Sequence, residues 1–358
     1  MARTLFDRIE DNLSYGLAQL PRVAWYLGHG YVMRRLAERF ERDRVVRPAP
    51  ANGPRRPSPV RAKLYRDLAA LFARDLANVD AGYYPPPAGE DGTLAERLAR
   101  TRLFFEDLPR VAERRREGRG REVSEAPGRA KLPRYYMQNF HFQTDGWLSE
   151  RSAKLYDVQV EVLFAGAANA MRRQALVPIA KWMRGKDQRE LRLLDVACGT
   201  ARFVGELKRA FPLLPVLGLD LSEPYLREAR RTLEDRRATG FVGAKAEELP
   251  FADASLDIVT SVYLFHELPP KIRRAVAREV SRVLKPGGLF VLVDSLQHGD
   301  VPGYDGLLDG FPASFHEPYF ASYVDEDLPA LFEGAGLRVI RAEPAWLSKI
   351  VACEKPGG

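Results

Sequence analysis

Leu193-Leu194-Asp195-Val196-Ala197-Cys198-Gly199-Thr200-Ala201-Arg202-Phe203 reads as an apolar strand ending in an acid, a tight turn of small residues and the opening of a helix. Gly199 carries no side chain, so a ligand can approach the backbone there closely. The next apolar run, Val216-Leu217-Gly218-Leu219, ends at Asp220, 21 residues beyond Gly199. In a doubly wound sheet that position presents a carboxylate to a ribose diol. The turn is not G-x-G-x-x-G, and Asp195 stands inside it. A carboxylate there repels a pyrophosphate and suits a cationic amino-acid moiety.

Outward from this turn, short apolar runs at 191–197, 214–220, 240–244, 256–262, 288–294 and 337–342 alternate with helical segments. Runs this short, separated by helices, predict an α/β fold with a mostly parallel sheet covered on both faces.

Five segments in order resemble the class I S-adenosylmethionine-dependent methyltransferases, especially the small-molecule group that includes the ubiquinone and menaquinone biosynthesis C-methyltransferases. They are Asp195–Ala201, Gly218-Leu219-Asp220-Leu221-Ser222, Ala244-Lys245-Ala246-Glu247-Glu248-Leu249-Pro250-Phe251, Leu256–Val259 with Ser261–Glu267, and Arg282-Val283-Leu284-Lys285-Pro286-Gly287-Gly288. The resemblance covers roughly residues 150–345. It implies a doubly wound, mostly parallel seven-stranded sheet and a site for S-adenosyl-L-methionine. Asp195 and the Gly199 turn would hold the methionine part, Asp220 the ribose hydroxyls, and Ala246 and Glu247 would lie beside the adenine. Ala197, Thr200, Leu221 and Val262 complete the expected set. Ala201 replaces the family's usual third glycine, which costs little if its backbone angles are ordinary. Lys245 stands where the family usually has Asp or Asn toward the adenine amino group. A lysine cannot accept that hydrogen bond, so it is expected to point to solvent while backbone groups read the base.

Methyl transfer from a sulfonium is an in-line displacement, for which a protein supplies alignment, desolvation and sometimes a base. Three of the five histidines are catalytic candidates. His266 follows the fourth run, His316 lies in the segment between the fifth and sixth runs, and His141 lies before the core. Each has a structural alternative, in which the ring only satisfies nearby backbone groups. His29 and His298 read as surface residues. The aromatic cluster Tyr135, Tyr136, Phe140, Phe142 and Trp147 is either a water-excluding lid or a packing seam for the N-terminal helices. Cys198 reads as structural, and no metal-ligand cluster is apparent.

The chain has 358 residues, 46% of them apolar and 29% charged, the texture of a soluble globular protein. It lacks a run of about 18 apolar residues, and Asp7, Glu10 and Asp11 occupy the place of a signal peptide's apolar core. Two cysteines exclude a disulfide framework and a multi-cysteine zinc site, and fit a reducing cytosol. The net charge of +7 lies in the first third, where residues 1–134 hold 27 Lys+Arg against 18 Asp+Glu. With 44 Arg against 11 Lys, a compositional bias explains this better than a nucleic-acid surface. A small-molecule acceptor, lipid-like or quinone-like, is the expected partner, and no nucleic acid. Nucleic-acid methylation and cofactor binding without transfer are the alternatives.

The expected organisation is a helical segment over 1–46, a Pro-rich linker over 47–60 and a helical region over 61–132 ending in a charged, mobile connector from residue 113. An aromatic lid with leading helices over 133–190, one of them a helix over about 150–173, and the cofactor domain over 191–358 follow, the latter with a substrate-side insert near 295–327. Leu5, Ile9, Leu13, Leu17 and Leu20 mark the first helix, which Pro21 is expected to interrupt. The localisation expected is cytoplasmic, with residues 1–46 either touching a membrane surface or capping the catalytic domain.

Overall fold

The computed structural model describes residues 5–42, 56–125 and 132–357. Residues 47–55 of the Pro-rich stretch and the last part of the charged connector, 126–131, lie outside the described residues. The N-terminal region forms helices α1 (Leu5–Arg42), α2 (Arg61–Asp80) and α3 (Leu94–Glu117), followed by α4 (Glu150–Leu163), α5 (Ala168–Arg173) and α6 (Leu176–Trp182). Alternating elements then run β1 (Leu193–Val196), α7 (Arg202–Ala210), β2 (Val216–Asp220), α8 (Glu223–Thr232), β3 (Thr239–Gly243), β4 (Leu256–Val262), α9 (Pro270–Val283) and β5 (Leu284–Ser295). Helices α10 (Asp305–Phe315), α11 (Phe320–Val324) and α12 (Leu328–Glu333) precede the final strands β6 (Arg338–Ala345) and β7 (Ser348–Glu354).

The seven strands are ordered β3-β2-β1-β4-β5-β7-β6. Strands β1 to β5 pair in parallel, and β7 runs antiparallel to both β5 and β6. The doubly wound expectation holds. The seventh strand was hidden because it follows β6 through a hairpin, not a crossover helix. Its turn uses Trp346 at φ +59° and offers no Gly or Pro as a signal. The chain reverses winding direction between β1 and β4, and the crevice at their carboxyl ends is where such sheets bind ligands.

Three helical expectations are corrected. Helix α1 runs unbroken through Pro21. Its buried face carries Tyr15, Gln19, Arg22, Tyr26 and His29, while Leu13, Leu17 and Leu20 are 64–73% exposed. The period was right and the inward face wrong, and His29 is no surface residue: its ring bonds Trp25 O at 2.8 Å and Thr101 Oγ1 at 3.0 Å. The helix expected over 150–173 breaks after Leu163. Gly166 (φ +81°) lies there against α1, and a Cβ on it would come within 3.2 Å of Val23 Cα. The connector expected from residue 113 begins later, because α3 continues to Glu117 and a short 3-10 turn covers Glu122–Glu125.

The N-terminal helices meet the sheet domain along a buried ionic seam. Asp75 of α2 accepts from Tyr15 and Tyr84 hydroxyls at 2.7 Å each and from Arg173 Nη2 at 2.6 Å. Arg173, 1% exposed, also bonds Glu90 at 2.5 Å. Arg22 of α1 pairs with Asp91 at 2.9 Å and Glu161 at 2.6 Å, and Arg202 with Asp157 at 2.8 Å. Replacing a buried pair wholesale by apolar residues is often neutral, but removing one partner strands the other charge in a low-dielectric interior. Asp75→Ala is therefore expected to destabilise the chain by about 3 kcal/mol or more, read as a lowered urea midpoint. A paired Asp75→Leu, Arg173→Met variant is expected to recover only part of that loss, because it takes from Glu90 the guanidinium that Arg173 also gives it.

Candidate active site

The β1–α7 turn is built from left-handed backbone. Ala197 (φ +60°), Gly199 (φ +55°) and Ala201 (φ +64°) all adopt it. The expectation of ordinary angles at Ala201 is corrected: its Cβ sits where glycine would be unstrained. A Cβ on Gly199 would meet nothing nearer than Tyr225 Cδ1 at 3.9 Å, so the backbone there is bare. Asp220, at the end of β2, ties the turn down: Gly199 N–H and Ser222 N–H each donate to it at 2.8 Å. Burial raises its pKa against those donors.

A cleft of about 100 Å³ opens beside this turn. Six of the nine expected cofactor residues line it: Ala197, Gly199, Asp220, Leu221, Ala246 and Val262. The other three stand off its wall. Asp195 is 1% exposed beneath the turn, paired in register with Thr260 of β4, whose hydroxyl donates to it at 2.7 Å. Burial, with help from the nearby Asp220 charge, pushes its pKa up to about 7. The Thr200 hydroxyl turns away to Asp157 at 2.8 Å. Glu247 accepts the Tyr135 hydroxyl at 2.7 Å, latching the aromatic segment to the loop after β3. Lys245 does point outward, onto Glu248 at 3.2 Å.

The aromatic segment lies along the cleft and packs against α4 and α8. Tyr135, Tyr136, Phe140 and Trp147 line the cleft. Phe140 and Trp147 also stack at 5.7 Å, and Trp147 meets Tyr156 and Tyr225 edge-on. The Tyr136 hydroxyl is buried without a partner. Cys198 is buried, which pushes its thiol pKa up and leaves it inert.

A second cavity of about 370 Å³ adjoins the first. Tyr156, Tyr263 and Glu267 belong to the walls of both. The larger chamber is mainly apolar, walled by α1 (Tyr26, Leu27, Gly30), α2 (Leu64, Leu68), α10 (Leu307, Leu308, Phe311) and the β6–β7 turn (Trp346, Leu347). Two of the candidate histidines reach it. His266 places Nδ1 2.6 Å from Asp294 Oδ1. Burial pulls its pKa down, but the Asp294 carboxylate outweighs this and raises it to about 9. His141 places Nε2 2.8 Å from Glu317 Oε1. His316 lies on neither wall: it bonds Gln138 Oε1 at 3.1 Å and packs on Phe142. Its left-handed φ of +36° turns ring and successor apart.

The residues missed by pattern are Tyr225, Glu267 and Glu317. Both glutamates directly follow candidate histidines, and that pairing was the available signal. Burial, and then the Glu317 charge, push Glu267 well above the usual carboxylate range. The ligand atoms of His141, Glu267 and Glu317 all lie within 4.8 Å of one another, a cluster the sequence reading did not anticipate.

Residues 193–288 match the family described as Methyltransferase domain. A demethylmenaquinone methyltransferase of Lysinibacillus sphaericus is 31% identical over 166 residues, covering 41% of this chain and 70% of that protein. The chain belongs to the class I S-adenosylmethionine-dependent methyltransferases. Among its methyltransferase relatives is the ubiquinone/menaquinone biosynthesis C-methyltransferase of Methylobacterium nodulans, 36% identical over 162 residues, 44% of this chain and 62% of that one. A SAM-dependent methyltransferase structure from Aquifex aeolicus is 20% identical, covering 51% of this chain and 92% of that one at a TM-score of 0.37. The chain spans about three fifths of the length of the first curated relatives it matches. The N-terminal helices α1 to α6 precede the matched segment.

The raised Asp195 pKa has a signed consequence. Near its ordinary value of 3.8 the unfolded chain loses this proton, whereas the folded chain keeps it to about pH 7. The folded state thus binds more protons between about pH 4 and 7, and this group's contribution to stability falls as pH rises through that window. Asp195→Asn is expected to match the parent chain's urea midpoint at pH 4.5 and exceed it at pH 8, by about 4 kcal/mol at most.

Proposed function

We propose that this chain transfers the methyl group of S-adenosylmethionine to an apolar, quinol-like small molecule seated in the larger chamber. The carrying observation is that cleft and chamber share one wall, Tyr156, Tyr263 and Glu267. The residues present fit the cofactor. The bare Gly199 backbone leaves room for the amino-acid end, with Asp195 buried beneath it. Asp220 and the partnerless Tyr136 hydroxyl line the cleft together and suit ribose hydroxyls. Backbone groups at Ala244 and Ala246 would read the adenine, Lys245 being turned away. When bound, the cofactor supplies a methyl activated on a sulfonium, and the aromatic wall suits that cation.

The chain's own part is orientation, desolvation and charge stabilisation. The Tyr135–Glu247 latch and the Phe140–Trp147 stack close the cleft against water. His266, held by Asp294 through Nδ1, leaves Nε2 as the nitrogen available to the chamber. There it would hold a phenolic oxygen and stabilise the negative charge that activates the ring for attack. The names of the relatives, demethylmenaquinone and ubiquinone/menaquinone methyltransferases, agree with an apolar ring acceptor. The chamber volume suits an acceptor larger than a bare ring.

Titration of S-adenosylmethionine into the full chain is expected to show binding that Asp220→Ala weakens at least tenfold. Gly30 lines the chamber and has nothing within 4 Å of its Cβ position, so Gly30→Phe fills space without a clash. It is expected to slow labelled-methyl transfer to a long-tailed quinol more than tenfold and to leave the cofactor titration unchanged. Equal loss of both would place the acceptor elsewhere, and binding without any transfer would favour a cofactor-binding protein.

A membrane-facing role for α1 also gains support. Its exposed apolar residues Ile9, Leu13, Leu17 and Leu20 continue along the helix to Leu27 on the chamber wall, a route for a lipid-borne acceptor. No helix among the described residues is long and apolar enough to cross a membrane, so contact would be at the surface. Liposome flotation is expected to fall on Leu13→Gln, Leu17→Gln, Leu20→Gln substitution; unchanged flotation refutes the route.

A further inference from the structure

We propose that His141, Glu267 and Glu317 form a binding site for a divalent first-row cation at the wall between cleft and chamber. The three come from separate segments: the 3-10 turn Phe140–Phe142, the turn after β4, and the connection after α10. Nothing in chain proximity forces them together, yet their ligand atoms lie within 4.8 Å of one another. A cation about 2.1 Å from each ligand spans up to ~4.2 Å between opposite ligands, so a few tenths of an ångström of closure completes the cage.

The independent observation is Glu317. Its side chain is 0% exposed, and neither carboxylate oxygen has a hydrogen-bond donor. Oε1 faces the His141 ring nitrogen at 2.8 Å, and Oε2 has no donor at all. A buried acceptor left this way is costly and calls for a partner. His266 pairs with Asp294 through Nδ1, and its Nε2 forms no hydrogen bond to either Glu317 oxygen. Two carboxylates at this separation repel each other, and a divalent cation cancels both charges.

One imidazole with two carboxylates suits a borderline-to-hard ion such as Mn²⁺, Fe²⁺ or Zn²⁺. Three protein ligands leave coordination positions open. His141 and Glu267 both line the chamber, so the open positions face the place assigned to the acceptor. A hydroxyl bound there would lose its proton more readily. That last role rests on the proposed acceptor reading; the cation site itself does not.

The test is titration of Mn²⁺ into the chelator-stripped full chain, followed by electron paramagnetic resonance of free Mn²⁺, with S-adenosylmethionine calorimetry in parallel. One Mn²⁺ per chain is expected, displaced by Zn²⁺, with affinity reduced at least tenfold in Glu317→Gln and in His141→Ala. Glu317→Gln keeps the side-chain shape. Should it fail to fold, Glu267→Gln replaces it as the second ligand variant. Absence of binding by the parent chain, or binding equal in the variants, overturns the site and means that protons shared among the three groups balance its charge. Loss of the cation result with cofactor binding intact refutes the metal site alone; loss of cofactor binding with Mn²⁺ retained refutes the methyl-transfer reading alone.

Discussion

The position of Arg173 constrains the rest of the molecule. A guanidinium 1% exposed must be matched by carboxylates, and the matching groups come from the N-terminal region: Asp75 in α2 and Glu90 in the loop before α3. Folding the sheet domain therefore requires drawing α2 onto it. Arg22 repeats the device between α1 and α4 through Glu161. Ion pairs of this kind hold orientation more than they add stability, and orientation is what the chamber needs. Nearly a third of its lining residues, from Tyr26 to Leu68, belong to helices that the seam anchors. The arginine surplus of the first third, legible only as composition, thus has a structural use in at least Arg22.

The cleft depends on a different constraint, set by backbone geometry. A parallel sheet that reverses its winding between β1 and β4 leaves a gap at their carboxyl ends. The β1–α7 turn fits into that gap only by passing through left-handed conformations at Ala197, Gly199 and Ala201. Two of these three are alanines, so the turn stores strain of the order of 1–2 kcal/mol per residue. The Gly199 N–H held by Asp220 helps to fix the turn in that shape. Asp220 consequently has a structural duty even before any ligand arrives, and its remaining acceptor capacity faces the cleft.

The parts legible in the sequence share a physical property: they are local. The Leu193–Phe203 strand-turn-helix, the Asp220 position and the alternation of runs and helices follow from contacts within about thirty residues. What escaped depends on distant segments. The inward face of α1 is chosen by Asp75, Asp91 and Glu161, which no reading of its own leucine spacing could reveal. Strand β7 escaped because a hairpin with Trp346 in its turn carries no breaker. Asp195, Thr200 and Glu247 sit one layer behind the cleft because each finds a protein partner: Thr260 and Asp157 off its wall, and Tyr135 on it.

The two His-Glu pairs show how adjacency in the chain divides in space. After β4, the left-handed turn at Tyr263 (φ +58°) brings both His266 and Glu267 to the chamber, with His266 fixed by Asp294. After α10, the left-handed residue is His316 itself, so its ring leaves for Gln138 while Glu317 turns inward to His141. Glu267 stands where the chamber meets the cleft, with His266 beside it in the chain, while the rest of the wall is mainly apolar apart from His141, Arg34, Arg61 and Ser295. An acceptor entering such a space lowers its free energy most by leaving its apolar portion against α1, α2 and α10 and sending its polar head to His266 and Glu267. The same gradient that admits the molecule therefore orients it, head first, toward the shared wall.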